Sequence, residues 1–574
     1  MGCQENLLPS KNGLPTLFLR RTGVIIVLIV LLAGLLRFVK LDQTAPPGLN
    51  QDEAANAWSA YCLLKTGKEY TGVSWPIFYV RNVGGNSSTL YVYLLMPFQA
   101  IWGLNVWTTR LPAAVGGVLT VWLIYYVGRR LFGPAIGLVA AGLLAIDPWH
   151  LQHSRNGLES SVTALASIAP LALLLWAGML TSDNNKTPSP RPVVAAVGGV
   201  LTGIGCYGHW EVRLFMPVFL LLIVLFTLPG WWKTIKTRKG ALAVGLFFAG
   251  FAATWGPLIW QHIFHSDGIG RHAQFQTGWI GSAPFFDAVK NIAIRYIQHF
   301  GPNFLFVEGD TSPMFSPPRI GQFYLYMLPL MQAGFISVVR RFKSSSSARV
   351  LAAFVLAYPV GDCLVWTSGL SILRSAPGLC ALILLSAVGA VECFRWLRTR
   401  SRKSLLATTA IFAGVVIASN VWYLNYFFGE FNKTYDIYHL FHTDFVEACE
   451  WLKPRFDDYD AVICTGDELN MPYVVSAVAL GYDPKRWFSE PREFTTAGEW
   501  DYYTRYGKMY FMCDKVFPSF YHFMSKPLSG GQYRSGYVLL IIRPGEVELI
   551  EPDKQILHKI IRPDGTEVLW LCVI

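Results

Sequence analysis

Two adjacent carboxylates stand in the run Asn50-Gln51-Asp52-Glu53, just after a Pro46-Pro47-Gly48 turn and ahead of an amphipathic stretch through Leu64. A carboxylate held where a chain leaves a membrane can act as a general base, taking the proton of an acceptor hydroxyl. The plainer use is structural. Asp52 is a natural N-cap, and Glu53 favours the first turn of a helix. Other signatures of chemistry are weaker. No CxxC, HExxH or Cys/His cluster suggests zinc. The Thr465-Gly466-Asp467-Glu468 turn could hold a phosphate, but a lone strand–Gly–helix favours plain structure. Cys62, Cys206, Cys363, Cys380 and Cys393 read as buried thiols in or beside apolar helices. Cys449, Cys464, Cys513 and Cys572 share a C-terminal region, where an oxidising compartment would allow one or two disulfides.

The elements that must position Asp52 are set by composition. Of 574 residues, 53% are hydrophobic and only 15% charged, and the mean hydropathy is +0.36. Soluble domains carry about 25% charge. The shortage excludes disorder and a disulfide-dense secreted scaffold, and points to a membrane protein of several spans. Eleven runs are apolar enough to cross a bilayer: 22–39, 110–127, 134–150, 160–180, 193–208, 212–230, 240–263, 321–339, 350–366, 374–394 and 405–428. The first lacks a small-residue cleavage site and reads as a retained anchor.

Charge sorts these spans. With a cytoplasmic N-terminus, eleven spans gather 20 cations in inside loops, among them Arg129, Arg130, Arg340, Arg341, Arg398 and Arg400. Counting 88–104 as a twelfth span would put Arg129 and Arg130 outside, so that stretch reads as a helix in the outer interface, anchored by Tyr91, Tyr93 and Trp102. Acids of the membrane part fall at the outer side, including Asp147, Glu159, Glu211, Glu308, Asp310 and Asp362. Ionisable groups at a membrane face are costly and tend to be functional. From Lys433 onward there are 15 Lys/Arg and 21 Asp/Glu, leaving 33 basic and 16 acidic residues before it. The net +11 is therefore a topology signal. An acidic soluble domain excludes non-specific nucleic-acid binding.

The organisation expected is a cytoplasmic N-terminus (1–21), a transmembrane domain (22–430) with long outer loops at about 40–109 and 264–320, and an extracytoplasmic C-terminal domain (431–574). The fold class is an α-helical polytopic membrane protein of about 11 helices, with interfacial helices in the first outer loop, plus a small C-terminal α/β domain. In that domain 443–452 reads as helix, 461–464 as strand, and a helix ends near Leu480. Strands are expected at 508–513 and 537–543, and a hairpin at Arg562-Pro-Asp-Gly-Thr566. The chain is placed in the cell membrane as an integral, multi-pass protein.

The order of motifs resembles the GT-C glycosyltransferases, more narrowly the protein O-mannosyltransferase and aminoarabinose-transferase-like group (family 39/83 type). Asp52-Glu53 and an interfacial helix precede Thr109-Arg110-Leu-Pro112 at the start of the second span and Gly128-Arg-Arg-Leu-Phe-Gly133 at its end. His153-Ser-Arg155-Asn-Gly-Leu-Glu159, Tyr207 to Arg213, Phe306-Val-Glu308-Gly-Asp310, and Arg374 with Pro377 follow in order. The likeness covers roughly residues 20–430. It implies a GT-C fold and transfer of a sugar from a polyprenyl-phosphate donor to a lipid, glycan or protein on the outer face, with inversion. It assigns the base to Asp52, with Glu53 as its neighbour. A departing phosphate needs cations or a metal. Arg374, Arg155, Arg213, Arg319 and Arg110 are the candidates, each with an alternative role as interfacial anchor or carboxylate partner. Arg374 stands at an outer helix start, where its charge opposes the helix dipole and calls for an anion. Glu159, Tyr207, Glu308, Asp310 and Asn86 would line the substrate cavity.

One stretch departs from the pattern. Where several relatives carry a Glu-Lys-Pro-Pro-like element, this chain has Gly84-Gly-Asn86-Ser-Ser-Thr89. Asn86 offers hydrogen bonds but no charge, which weakens the case for a divalent cation and for an aminoarabinose donor. From another class, a transporter or flippase of polyprenyl-linked glycolipids would also need an amphiphile groove. The acids massed at the outer face, and the lack of paired broken helices, favour the enzyme.

Overall fold

The computed structural model describes residues 16–82, 85–180, 189–264, 282–365, 369–466, 468–497, 500–512, 537–549 and 555–573. The membrane part begins with α1 (Thr16–Phe38), α2 (Gln51–Thr66), a small antiparallel pair of β1 (Val80–Asn82) and β2 (Gly85–Ser87), and α3 (Thr89–Trp102). Then come α4 (Val106–Phe132), α5 (Pro134–Ile146), α6 (Pro148–His153), α7 (Thr163–Trp176), α8 (Pro192–Gly205), α9 (Trp210–Phe226), α10 (Leu228–Ile235) and α11 (Arg238–Phe264). Helices Phe285–Gln298, Met327–Arg341, Ser346–Ala357, Pro377–Arg398 and Arg402–Phe428 complete it.

Among the described residues five helices are long and apolar enough to span a bilayer: Val106–Phe132, Glu159–Trp176, Arg238–Phe264, Pro377–Arg398 and Arg402–Lys433. A sixth arises if α9 and α10, bent by 83°, count as one. Shorter apolar helices lie at Thr22–Phe38, Pro134–Ile146, Pro192–Gly205 and Ser346–Gly361. Their exposed faces are apolar. Leu28, Leu31 and Leu35 on α1, and Ile411, Ile417 and Trp422 on Arg402–Phe428, point away from the protein. Apolar side chains facing outward along a whole helix indicate lipid contact. Inside the bundle, small residues let helices approach closely. A Cβ on Gly389 would fall 1.8 Å from Leu330 O, and one on Gly334 2.0 Å from Leu385 O. These glycines seat Met327–Arg341 against Pro377–Arg398.

The stretch 88–104 is indeed a separate helix, α3, partly sunk against its neighbours. Tyr91 is fully buried, and its hydroxyl donates to Thr109 O at 2.8 Å.

The C-terminal part is a seven-stranded sheet in the order β4-β5-β6-β3-β7-β9-β8. Its strands are β3 (Ala461–Cys464), β4 (Arg492–Ala497), β5 (Trp500–Tyr506), β6 (Met509–Phe511), β7 (Val538–Ile542), β8 (Gln555–Ile561) and β9 (Glu567–Val573). Central β3 is buried along its length and runs parallel to β6 and β7, while the other pairings are antiparallel. Full burial suits the unbroken apolar run Ala461–Cys464. Helices Thr443–Leu452, Pro472–Leu480 and Pro484–Ser489 pack with it. The expected strands and the hairpin at 562–566 are present. The β4–β5 hairpin was not expected from the sequence, because its Thr- and Tyr-rich strands lack clean alternation. Cys449 and Cys464 are free buried thiols, so among the described residues they form no disulfide, and Cys572 is buried in β9. Cys513 lies outside the described residues.

Helix α2 belongs to both parts. Its Ala54, Trp58 and Cys62 share one apolar core with Phe445, Tyr473, Trp487 and Leu539. Trp58 meets Trp487 edge-on at 5.5 Å, and Trp487 Nε1 donates to Tyr70 O at 2.8 Å.

Candidate functional site

The start of α2 separates its two carboxylates by role. Asn50, not Asp52, is the N-cap. Its side chain accepts from the Asp52 N–H at 2.8 Å, and Glu53 returns the bond to the Asn50 N–H at 3.2 Å, closing a capping box. Successive helix residues point about 100° apart. Glu53 turns into the protein and is fully buried. It pairs with Arg110 through two parallel bonds, Nε to Oε1 at 3.0 Å and Nη2 to Oε2 at 2.9 Å. Glu53 also accepts from the Gly157 N–H. Asp52 is half-buried, and among the described residues its carboxylate has no hydrogen-bond or ion-pair partner. Burial first, then the nearby Glu53 charge, push its pKa up to about 6. An Asp relieved of capping and poised near neutrality is suited to accept a proton.

Arg110 and Arg155 pin the chain that leads to Asp52. Beyond Glu53, Arg110 donates to Leu41 O, Pro46 O and Gly48 O at 2.7–3.1 Å. Arg155 donates to the carbonyls of Leu36, Arg37, Val39, Lys40, Thr44 and Ala45. It thereby satisfies the open carbonyls where α1 ends. A guanidinium has five N–H donors, so as placed neither arginine keeps one for a phosphate.

A second group gathers where α8 turns into α9. His209 Nε2 lies 3.7 Å from Glu159 Oε1, and its Nδ1 meets Glu211. Glu159 is close enough to Asp52 for their charges to repel. Arg213 Nη2 donates to Ser88 Oγ at 3.0 Å, next to β2, and its guanidinium covers the Trp210 ring at 3.9 Å. Arg213 Nη1 and Glu159 Oε2 are buried and, among the described residues, have no hydrogen-bond partner. Two such atoms beside an unclaimed carboxylate are the polar lining expected of a substrate pocket. Tyr207 borders the group and donates to Thr254 O at 3.0 Å.

A third group centres on Asp362. It takes Arg295 Nη2 at 3.3 Å, His299 Nε2 at 3.0 Å, and Arg374 Nε. Arg374 Nη2 and Arg295 Nη2 both donate to Gly369 O, at 3.1 and 2.8 Å. Asp310 accepts from the Ile372 and Ser312 N–H groups, holding this loop. Gly361 ties the second and third groups together, since a Cβ there would lie 2.3 Å from Glu211 Cβ. The expected members are thus unequally placed. Asp52, Glu159, Tyr207 and Arg213 come together, and Arg374 with Asp310 sits beside Asp362. Glu308 is exposed and accepts from Asn303 at 2.6 Å. Arg319 is exposed at a left-handed turn, and Asn86 lies in β2 opposite Arg81. No described contact joins these three to the clusters. His209, Arg295 and His299 were not expected, while Glu211 and Asp362 appeared only among the outer acids. Among the described residues no three or more His, Cys, Asp or Glu side chains are arranged to hold a metal ion.

A family model described as dolichyl-phosphate-mannose-protein mannosyltransferase matches residues 87–260, which include α3, Arg110, Glu159 and Arg213. No curated protein matches the sequence. Among solved structures, ArnT from Cupriavidus metallidurans in the apo state superposes with a TM-score of 0.51 at 13% identity, covering 96% of this chain and 98% of that one. ArnT bound to undecaprenyl phosphate gives 0.50 at 12%, covering 97% and 98%. The archaeal oligosaccharyltransferase AglB from Archaeoglobus fulgidus gives 0.45 at 12%, covering 80% of this chain and 64% of that one. The whole-length correspondence with ArnT includes both the membrane helices and the C-terminal mixed sheet.

Proposed function

We propose that this multi-pass membrane protein is a glycosyltransferase of the GT-C fold that moves a sugar from a polyprenyl-phosphate donor to a lipid, glycan or protein hydroxyl, with Asp52 as general base. The observation that carries the reading is the Asp52 carboxylate. It begins a helix that it does not cap, its neighbour is consumed by Arg110, and it lies close enough to Glu159 for their charges to interact.

In the proposed step, Asp52 takes the acceptor O–H proton while the oxygen attacks the anomeric carbon. The carbon–oxygen bond to phosphate breaks on the opposite side, so the configuration inverts. The polyprenyl phosphate leaves with the bonding pair. Arg213 and Arg374 are the cations suited to receive that charge, Arg213 because Nη1 has no partner among the described residues and Arg374 because it is the more exposed partner of the buried Asp362. Arg110 and Arg155 instead hold the backbone that carries the base. Glu159, with His209, is suited to bind sugar or acceptor hydroxyls.

Eleven spans are proposed: α1, α4, α5, Glu159–Trp176, α8, α9, α11, Met327–Arg341, Ser346–Ala357, Pro377–Arg398 and Arg402–Phe428. Helices α2 and α3 would lie at the outer interface. The segment 1–21 would be cytoplasmic, 22–430 the catalytic membrane domain and 431–574 extracytoplasmic. Arg129, Arg130, Arg340, Arg341, Arg395 and Arg398, all in last helical turns, support this orientation. Mass spectrometry of lipid- and protein-linked glycans from cells with and without the gene tests the reading. Loss of one specific sugar upholds it, and an unchanged glycan profile contradicts it.

A further inference from the structure

The chain that joins the last membrane helix to the C-terminal sheet runs directly against the segment that precedes Asp52. Leu49 N donates to Phe441 O at 2.6 Å, Asn50 Nδ2 to Leu440 O at 2.9 Å, and Ala45 N to Asn432 Oδ1 at 2.8 Å. The approach is close enough that a Cβ on Gly48 would lie 2.3 Å from Phe441 O and 2.8 Å from Thr443 Cα. At the centre stands His442, buried, with both ring nitrogens engaged. Nδ1 is 3.2 Å from Leu49 O, and the Asn470 N–H reaches Nε2 at 3.0 Å. A nitrogen that accepts an N–H carries no proton, so Nε2 is bare and Nδ1–H donates to Leu49 O.

The backbone around this ring is held in uncommon conformations. His442 is left-handed at φ 44°, and across from it Glu468 and Met471 have φ of 55° and 51°. Each such residue costs of order 1–3 kcal/mol and persists only where its surroundings impose it. Burial lowers the imidazole pKa to about 4, so the ring stays neutral at working pH.

We propose that His442 is a positioning residue for the transfer reaction, fixing the Leu49–Asn50 turn from which α2 starts and so making the C-terminal domain part of what places the Asp52 carboxylate. The inference rests on Asp52 being the base. The line of force is short. Asn470, after β3, holds His442; His442 holds Leu49; and the next residue, Asn50, caps the helix whose second residue is Asp52. A displacement of about 1 Å at such a group can cost about 100-fold in rate.

The test uses the full-length protein in membranes or detergent, with a synthetic polyprenyl-phosphate sugar as donor. His442→Ala is expected to lower kcat by about 10- to 100-fold per folded enzyme with donor KM within about threefold. Hydrogen exchange of the amides at 49–53 is expected to accelerate. His442→Asn, whose amide can still donate to Leu49 O, is expected to recover part of kcat, and it carries the test if the Ala variant does not fold. A lower thermal midpoint with kcat and exchange at 49–53 unchanged would overturn the proposal, leaving His442 merely structural. Asp52→Asn runs alongside. If that variant turns over normally, the base assignment fails and the inference falls with it. If Asp52→Asn is inactive while both His442 variants work normally, only the positioning role is lost.

Discussion

Glu53 and Arg110, 57 residues apart, form a two-bond ion pair entirely out of water, with both partners 0% exposed. Such a pair is a poor source of net stability but expensive to break, because removing one partner leaves the other charge buried and alone. Arg110→Ala and Glu53→Gln are therefore expected to destabilise the protein by about 3–5 kcal/mol, read as lost folded yield and a lowered thermal midpoint. Arg110→Lys would not rescue, since an ammonium cannot reproduce the fork that also holds Leu41, Pro46 and Gly48 carbonyls.

The raised pKa of Asp52 fixes the sign of the pH dependence. The active form is the carboxylate, so kcat/KM is expected to fall about tenfold per pH unit below about 6. The same group acts oppositely on stability. Its folded pKa lies above the ordinary Asp value of 3.8, so its contribution is fully present below that value and is lost as pH rises through about 6. A pH–rate profile with a parallel stability series checks both. In Asp52→Asn the residual rate, if measurable, should lose this acidic limb.

Arg213 and Arg374 are expected to act on the departing phosphate. Arg213→Ala and Arg374→Ala should each lower kcat/KM for the donor by about 100- to 1,000-fold, the scale of a lost oxyanion donor, with less effect on acceptor KM. Product analysis against donor concentration separates this from a folding defect.

Gly157 is a tight spot in the same frame. A Cβ there would come within 2.8 Å of Thr109 O and 3.2 Å of Glu53 Oε1. Gly157→Ala is expected to cost about 1–3 kcal/mol by overpacking and to disturb the N–H bond to Glu53. Thermal denaturation checks it.

Much of this frame is legible in the sequence, for identifiable reasons. Hydrophobic runs and the placement of Arg129, Arg130, Arg340 and Arg341 mark helices because lipid imposes length and composition together. Asp52 and Glu53 are visible as a pair, but which one caps, which one pairs and which one stays open depends on Asn50 and on Arg110, 57 residues away. The arginines mislead for the same reason. Arg110, Arg155 and Arg213 are one residue type in similar sequence settings, and only the tertiary structure gives the first two to carbonyls. His442 carries no sequence signal at all. Its role arises from a left-handed turn meeting a glycine nearly 400 residues earlier. The β4–β5 hairpin is not legible in the sequence because Tyr502, Tyr503 and Tyr506 bury on a mixed face, which blurs the two-residue alternation.

The most direct test of the central claim is single-turnover sugar transfer by Asp52→Asn in membranes, with donor-lipid binding measured on the same preparation. Retained donor binding, normal expression and no detectable transfer are expected. Turnover at the wild-type rate in that variant would contradict it.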